Sequence, residues 1–482
     1  MRAAHTALLL AALTGCPDGT ERPPNFIVIL CDNLGYGDTE PFGSTLHRTP
    51  HLSRMAREGR KLTHFYASAG VCTPSRASLL TGCYAQRVGL HVTPRDGHVL
   101  RPVSPYGINP DEETVAEILR ERGYATALVG KWHLGDQPEF LPTRHGFDSY
   151  FGIPYSDDMT RERGQGLERF QGHRWPPLPL MENETVIEAP VDRNLLTGRY
   201  TERSLEFIEA NRDRPFFLLL SHAMPGSERV PFASETFRGR SLNGAWGDAV
   251  EELDWSTGQV LDKLVATGLD ARTLVFWTSD NGAPLAADPS SPARGSNLPL
   301  HGRGYTTAEG AFRVPAIAWW PGTVPAGSET AALTSMLDLL PTLLSISGQS
   351  VSTDRAIDGM DIRDALLGHG EARSPRQNLY YYFEDRLQAV RSGPWKLFVA
   401  LEEPGPRHPH FERGGPDGPA LFNVVDDPGC LRDFAADRPD VVAQLNAIAD
   451  EARSELGDQG HPGSGQRPPG TVDSPTPVIL QP

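Results

Sequence analysis

Apolar and polar residues fall along this chain in two kinds of block. After a polar, proline-rich stretch, PDGTERPP, the run NFIVIL is continuously apolar over the length of a strand, as in a strand buried on both faces. TPHLSRMAREG then places Leu52, Met55 and Ala56 at helical spacing, with Pro50 near the start and Gly59 as a stop. NPDEETVAEILRERG repeats the plan with Val115, Ile118 and Leu119, and YATALVG follows as a second buried strand. TERSLEFIEANRDR precedes PFFLLLSH, and a long helix bearing Val250, Leu253, Val260, Leu261 and Leu264 precedes TLVFWTSDNG. Strands alternating with helices predict an α/β fold, a mostly parallel central sheet flanked by helices, with ligands at the carboxyl ends of its strands.

From about residue 376 the texture changes. YYYFEDRLQAVRSGPWKLFVA reads as short strands joined by a turn at Ser392 to Pro394, and DRPDVVAQLNAIADEAR as an amphipathic helix. The expected organisation is a leader and tether over 1–24, a main α/β domain over 25–375, and a smaller antiparallel sheet plus helix over 376–456. The final 457–482, rich in Gly, Pro and Ser, is expected to be a disordered tail. The leader itself, MRAAHTALLLAALTGC, has an early charge at Arg2, an apolar run too short to span a bilayer, and small residues before Cys16. LTGC resembles a bacterial lipobox, so the expectation is an exported protein, periplasmic or at the cell surface, touching a membrane only through a lipid on Cys16.

Composition adds exclusions. A formal charge of −16 over 482 residues argues against a nucleic-acid partner, and any anionic substrate must meet a local basic pocket. The five cysteines, Cys16, Cys31, Cys72, Cys83 and Cys430, show no CxxC pairing and no disulfide framework; Cys31 reads as a small buried hydrophobe.

The chemistry sits where the strands end. NFIVIL runs into Asp32 and Asn33, YATALVG into Lys131 and His133, PFFLLL into Ser221 and His222, and TLVFWT into Asp280 and Asn281. In a parallel sheet these tips converge. Asp32, Asn33, Asp280 and Asn281 offer only oxygen ligands, which suits Ca²⁺ or Mg²⁺ better than zinc. Lys131, His133 and His222 suit an anionic substrate and a proton transfer near neutral pH. VCTPSRASLLTG fits the same crevice, with Pro74 early in a helix and Cys72 at its N-terminus. A thiolate nucleophile with depressed pKa, an inert buried cysteine and a modified residue all remain open for Cys72.

CTPSR followed by ASLLTG resembles the signature of the sulfatase family, in which the cysteine is converted to formylglycine. Further segments are similar along nearly the whole chain: CDNLGYGD, GKWHLG, FLPTRHGFDSYFGIPYSDDM, SHAMP, TSDNGAP, EGAFRVPAIAWWPG and LFNVVDDPGCLRDFA. The resemblance implies an alkaline-phosphatase-like α/β fold and one Ca²⁺ held by Asp32, Asn33, Asp280, Asn281 and the residue made from Cys72. It implies a hydrated aldehyde that attacks sulfur, with sulfate carried briefly on the enzyme. Lys131 and His222 would contact the sulfate, with His222 as proton donor; His133 would serve as base and Arg76 would hold the diol. The implied partners are a small-molecule or glycan sulfate ester and a formylglycine-generating maturation enzyme.

Two positions depart from the family pattern. Asn33 stands where an aspartate is usual, removing one negative charge. The loop before Glu309 has Gly304 where a lysine is usual, with Arg303 beside it as the expected sulfate contact. A sulfate-monoester hydrolase is therefore the leading expectation. The alternatives are a phosphodiester or phosphonate hydrolase on the same fold and a catalytically weak lipoprotein that binds sulfated glycans. Segments 157–182 and 284–300 are the expected specificity loops.

Overall fold

A strand whose side chains are all apolar must be covered on both faces, and the first strand shows how this is met. Along Asn25–Asp32, Phe26, Val28 and Leu30 enter one core while Ile27, Ile29 and Cys31 enter the other. The first core is closed by helices Cys72–Thr81, Val115–Glu121 and Leu339–Ile346, and the second by Pro50–Glu58, Leu196–Ala210 and Gly244–Thr267. The computed structural model describes residues 22–161, 175–228, 230–285, 295–350, 354–368, 374–401, 408–409 and 418–481. The expected leader with Cys16, and much of both expected specificity loops, lie outside these residues.

Among the described residues the main sheet has ten strands, and its centre is parallel in the order Thr273–Ser279, Asn25–Asp32, Phe216–Pro225, Ala125–Gly130, Ser149–Gly152. Antiparallel neighbours Ile317–Trp319 and Leu180–Glu182 extend it on the two sides. Register decides what meets at the top. Cys31 lies opposite Ser279, and both Leu30 and Gly130 lie opposite Ser221. Asp32 and Asp280 therefore emerge side by side just beyond Cys31 and Ser279, and Lys131 emerges at the same end of the sheet one residue earlier in the register.

Local chemistry sets the helix ends. Thr114 and Glu117 form a reciprocal cap: Thr114 Oγ1 accepts from the Glu117 amide at 3.2 Å, and Glu117 Oε2 accepts from the Thr114 amide at 2.7 Å. Helix Cys72–Thr81 stops at Gly82, whose φ of 66° places it in the left-handed region open to glycine.

Strands Asn378–Phe383, Arg386–Ser392, Trp395–Phe398 and Ala420–Asn423 form the expected small antiparallel sheet, backed by helix Pro439–Leu456. It is tied to the main α/β domain by buried charge. Glu309 Oε1 lies 3.1 Å from Lys396 Nζ, which also donates to Thr307 O at 2.8 Å; the Tyr66 and Tyr381 hydroxyls donate to Glu309 at 2.8 and 3.0 Å. Burial opposes the charge on Glu309, but Lys396 and Arg391 hold its carboxyl down to about 2. Burial also pulls Lys396 below the ordinary lysine range. The two directions conflict, and the ion pair is favoured because both acceptors of Lys396 are met.

The last segment departs from expectation. Residues 457–481 are not a disordered tail: Gly470–Thr471 pairs antiparallel with Tyr106–Gly107, and Arg467 donates to both carboxylate oxygens of Glu112 at 2.7 and 2.9 Å. Thr476 N donates to Gln137 Oε1 at 2.7 Å. A Cβ on Gly470 would come 2.6 Å from the Phe140 ring, so the glycine permits close approach. Polar bonds to residues hundreds of positions away order this segment, and they leave no hydrophobic periodicity to read.

Replacing Lys396 by Met should cost about 3–5 kcal/mol, because Glu309 stays buried without its nearest cation. Urea denaturation would show this, with much of the loss recovered on adding Glu309→Gln. A loss below about 1 kcal/mol, the scale of an exposed ion pair, would contradict the assignment.

Candidate active site

The carboxyl ends of three parallel strands of the central sheet put two carboxylates and an ammonium into one buried crevice, and helix Cys72–Thr81 brings a guanidinium across them. Arg76 Nε and Nη2 donate to Asp280 Oδ2 at 3.0 and 2.8 Å, and Nη2 also reaches Asp32 Oδ1 at 3.1 Å. Its Nη1 donates to Lys131 O at 2.9 Å and Ser221 Oγ at 2.6 Å. Lys131 Nζ donates to Asp32 Oδ1 at 2.7 Å and Ser156 Oγ at 3.2 Å. Asn33, with φ of 62°, turns the chain so that its amide N–H meets Asp280 Oδ1 at 3.0 Å.

The charges are set by these contacts. Burial works against ionising Asp32, but Lys131 and Arg76 hold its carboxyl well below the usual range. Burial and the charge of Asp32 push Asp280 up to about 7. Two adjacent carboxylates in dry surroundings ionise together at high cost unless a cation joins them. Asp32, Asp280 and the Cys72 sulfur offer ligand atoms within 4.8 Å of one another. Asn281 Oδ1 is buried without a hydrogen-bond partner, and Asn281 Nδ2 donates to Asn33 Oδ1 at 2.6 Å. An orphaned amide oxygen beside two carboxylates fits a hard divalent cation.

Cys72 is the first residue of its helix and is buried, its Sγ donating to Asp32 Oδ1 at 3.3 Å. Of the three states left open by the sequence, the thiolate nucleophile with depressed pKa is the one this environment disfavours. Burial and the Asp32 carboxylate raise the thiol pKa well above the ordinary value. A full negative charge in contact outweighs the roughly half charge of a helix terminus. The unmodified side chain is therefore a neutral thiol and a poor nucleophile. Among the described residues Cys31, Cys72, Cys83 and Cys430 are buried, with no disulfide between them.

His133, at φ of 66°, places Nε2 2.9 Å from Leu100 O. A carbonyl only accepts, so Nε2 carries the hydrogen and Nδ1, buried and without a partner, carries the lone pair. Burial, Lys131 and Arg76 depress its pKa, keeping it a neutral base.

His222 is not where the sequence reading put it. Along Phe216–Pro225, Phe217 and Leu219 face the core that holds helix Cys72–Thr81, whereas Leu218 and Leu220 face the opposite core. Ser221 follows the first set to Arg76. His222 follows the second, with Nε2 3.3 Å from Ser256 Oγ and its ring against Tyr200. Strand alternation thus removes His222 from the sulfate-contact and proton-donor roles.

The loop before Glu309 brings further residues to the site. A cavity of about 160 Å³ opens beside Cys72, with His133, Ser156, Asp158, Ser227 and Tyr305 in its wall. Arg303 Nη1 donates to Gly304 O at 3.3 Å, and the same loop carries Tyr305 to the cavity wall. Tyr305, Ser227 and Ser156 were missed because each looks like an ordinary loop residue. The available signal was position: Tyr305 follows the lysine-less Gly304, and Ser227 lies two residues past the strand ending in Pro225.

Comparisons with known proteins agree with this architecture. The family model described as Sulfatase matches residues 24–349. Steryl-sulfatase of Mus musculus is 35% identical, covering 94% of this chain and 86% of its own length. N-acetylgalactosamine-6-sulfatase of Sus scrofa is 37% identical, with 81% and 74% covered, and arylsulfatase A of Bos taurus 38%, with 84% and 82%. Among solved structures, a Pseudoalteromonas sp. sulfatase superimposes with a TM-score of 0.74 at 26% identity, covering 90% of this chain and 91% of its own. A Bacteroides thetaiotaomicron protein described under the metabolism of multiple glycosaminoglycans gives 0.76 at 26%, covering 90% and 100%. Among the described residues no helix is long and apolar enough to cross a membrane.

The buried His222 makes a pH test available. Burial holds its pKa down to about 3, against about 6.5 in the unfolded chain. Between those values the unfolded chain binds a proton that the native one does not, so stability falls as pH drops through this window, by up to about 1.4 kcal/mol per unit. Urea midpoints at pH 7 and pH 5 should show His222→Gln losing less stability on acidification than the parent protein; equal losses would contradict the neutral, buried assignment.

Proposed function

The chain belongs to the sulfatase family, and we propose that it cleaves sulfate monoesters using formylglycine made from Cys72 together with one Ca²⁺ ion. The observation that carries this reading is the pair of buried carboxylates, Asp32 and Asp280, set against residue 72 and bridged by Arg76. A cysteine held as a neutral thiol in such a place gains a purpose when it is converted to another group before use. When present, formylglycine would supply the oxygen nucleophile and Ca²⁺ would polarise the sulfuryl oxygens. Asp32, Asp280, Asn281 and Asn33 are the residues to hold the ion, with Asn33 giving one charge fewer than a carboxylate would.

The chain's own groups account for the remaining work. Lys131 brings a positive charge, on the Asp32 side, to the developing negative charge of the sulfuryl group. Arg76 fixes both carboxylates and, one turn along the helix, the orientation of residue 72. Nδ1 of His133 is the acceptor for the proton released when sulfate departs, because Nε2 is committed to Leu100. The substrates in view are small-molecule or glycan sulfate esters. A maturation enzyme that modifies Cys72 is a required partner. The leader, with its apolar run and LTGC, supports export, with lipid attachment at Cys16 as the accompanying proposal.

The test compares 4-nitrophenyl sulfate with bis(4-nitrophenyl) phosphate, using protein produced beside a formylglycine-generating enzyme and supplied with Ca²⁺. The sulfate ester should be preferred, and Cys72→Ser should lower multiple turnover by at least about 10³-fold. Serine offers a single oxygen and cannot restore itself by expelling sulfate. A clear preference for the diester, or sustained turnover by Cys72→Ser, would sink the proposal.

A further inference from the structure

A loop in the cavity wall carries a cation that the chain itself does not use. Leu100 is pinned on both sides. Its N–H donates to Thr73 Oγ1 at 3.2 Å and its carbonyl accepts from His133 Nε2 at 2.9 Å, while Thr73 Oγ1 donates to His133 O at 3.0 Å. Arg101 comes next, and Pro102 after it restricts Arg101 to extended backbone. Val103 closes the turn at φ of 64°, a conformation that a β-branched residue holds only under constraint. That constraint is in place: Val103 N donates to Asp136 Oδ2 at 2.6 Å, and Arg95 donates to Val103 O. Residue 101 thus has a fixed backbone position relative to residues 72 and 133.

The Arg101 side chain lines the cavity beside Cys72, together with Val71, Val99 and Met159. Among the described residues no carbonyl, hydroxyl or carboxylate accepts from its guanidinium, and the residue is half-buried. Asp96 feels the charge of Arg101 but takes its hydrogen bonds elsewhere, from Ser104 Oγ at 2.6 Å and Thr93 Oγ1 at 3.3 Å. His98, in the same wall, lies 3.3 Å from Glu384. The floor of the site is different. Lys131 and Arg76 are buried and committed to Asp32 and Asp280, whereas Arg101 keeps its N–H donors at a more exposed part of the same cavity. A guanidinium without a partner on a rigid loop, in a chain of formal charge −16, is arranged for an anion from outside.

The scissile sulfate must reach residue 72 and Lys131 on the floor, so the anion at Arg101 is a second one. We propose that Arg101 is a specificity-determining residue that binds a second anionic group, sulfate or carboxylate, on a sulfated glycan whose scissile sulfate lies at residue 72. The inference rests on the sulfate-ester reading above and narrows its substrates to doubly anionic ones. The guanidinium fork offers two parallel donors that match either oxyanion. Val71, Val99 and Met159 give apolar surface for the C–H face of a sugar ring.

The experiment is calorimetry in CaCl₂ on the full chain made without a maturation enzyme, so that bound esters are not consumed. The ligands are N-acetylgalactosamine 4-sulfate, 6-sulfate and 4,6-disulfate, and the unsaturated chondroitin disaccharides that add a uronate to a 4-sulfate or a 6-sulfate. The parent should bind at least one doubly anionic ligand about tenfold more tightly than its singly anionic counterpart, the scale of a hydrogen bond to a charged group. The preference should shrink at raised ionic strength. Arg101→Gln should abolish it, and Arg101→Lys, which keeps the charge and loses the fork, should retain part of it. Preference for the disulfate identifies the second group as sulfate, and preference for the uronate disaccharides identifies it as carboxylate. A parent that shows no preference, or binds none of these ligands, would overturn the proposal, as would a preference unchanged in Arg101→Gln. So would an equal loss for singly and doubly anionic ligands, which would make Arg101 a contact of the scissile sulfate. Hydrolysis of 4-nitrophenyl sulfate by the matured parent separates the two readings. Turnover without the preference removes this inference alone; preference without turnover removes the sulfate-ester reading, while the Arg101→Gln ratio still decides whether Arg101 holds the second anion.

Discussion

Everything at the head of the sheet depends on Arg76 lying across Asp32 and Asp280. Its planar fork satisfies Asp280 through two nitrogens and Asp32 through one, then spends its remaining donors on Lys131 O and Ser221 Oγ. One side chain thus links the ends of four parallel strands to the helix that begins at Cys72. Removing it would leave two adjacent buried carboxylates with Lys131 alone for compensation, a loss that no packing around the site offsets. Strand register, helix placement and the neutral state of Cys72 all follow from keeping this cluster charged and dry.

The same cluster gives meaning to the departures from the family pattern. Asn33 removes a negative charge beside two carboxylates that Lys131 and Arg76 already balance, so the site relies less on a cation for neutrality. The amide that replaces the charge also donates, and its donors organise the Ser227 and Tyr305 hydroxyls at the cavity wall. The loop before Glu309 carries Tyr305 to that wall. The loop itself is anchored from the small C-terminal sheet through Lys396, which ties that sheet to the chemistry.

What could be read in the sequence was what periodicity and position encode. Continuous apolar runs marked four of the central strands, and the polar residues after them marked the crevice where Asp32, Lys131 and Asp280 meet. His222 shows the limit of reading by proximity: it adjoins Ser221 in sequence but points into the opposite core, and the alternation of Phe217 to Leu220 already contained that information. The state of Cys72 stayed open in sequence because a helix terminus is visible there while a contacting carboxylate from forty residues away is not. Tyr305 and the ordered 457–481 segment depend on hydrogen bonds between distant loops, which leave no periodic trace.

The central claim is that this buried cluster exists to serve a residue made from Cys72. The direct measurement is the mass of the tryptic peptide spanning residues 62–76, from protein produced beside a formylglycine-generating enzyme. The account predicts a peptide lighter by the exchange of the thiol for an aldehyde oxygen, and reactive toward hydrazide reagents. An intact cysteine in that peptide, under conditions that convert another sulfatase in the same cells, would contradict it.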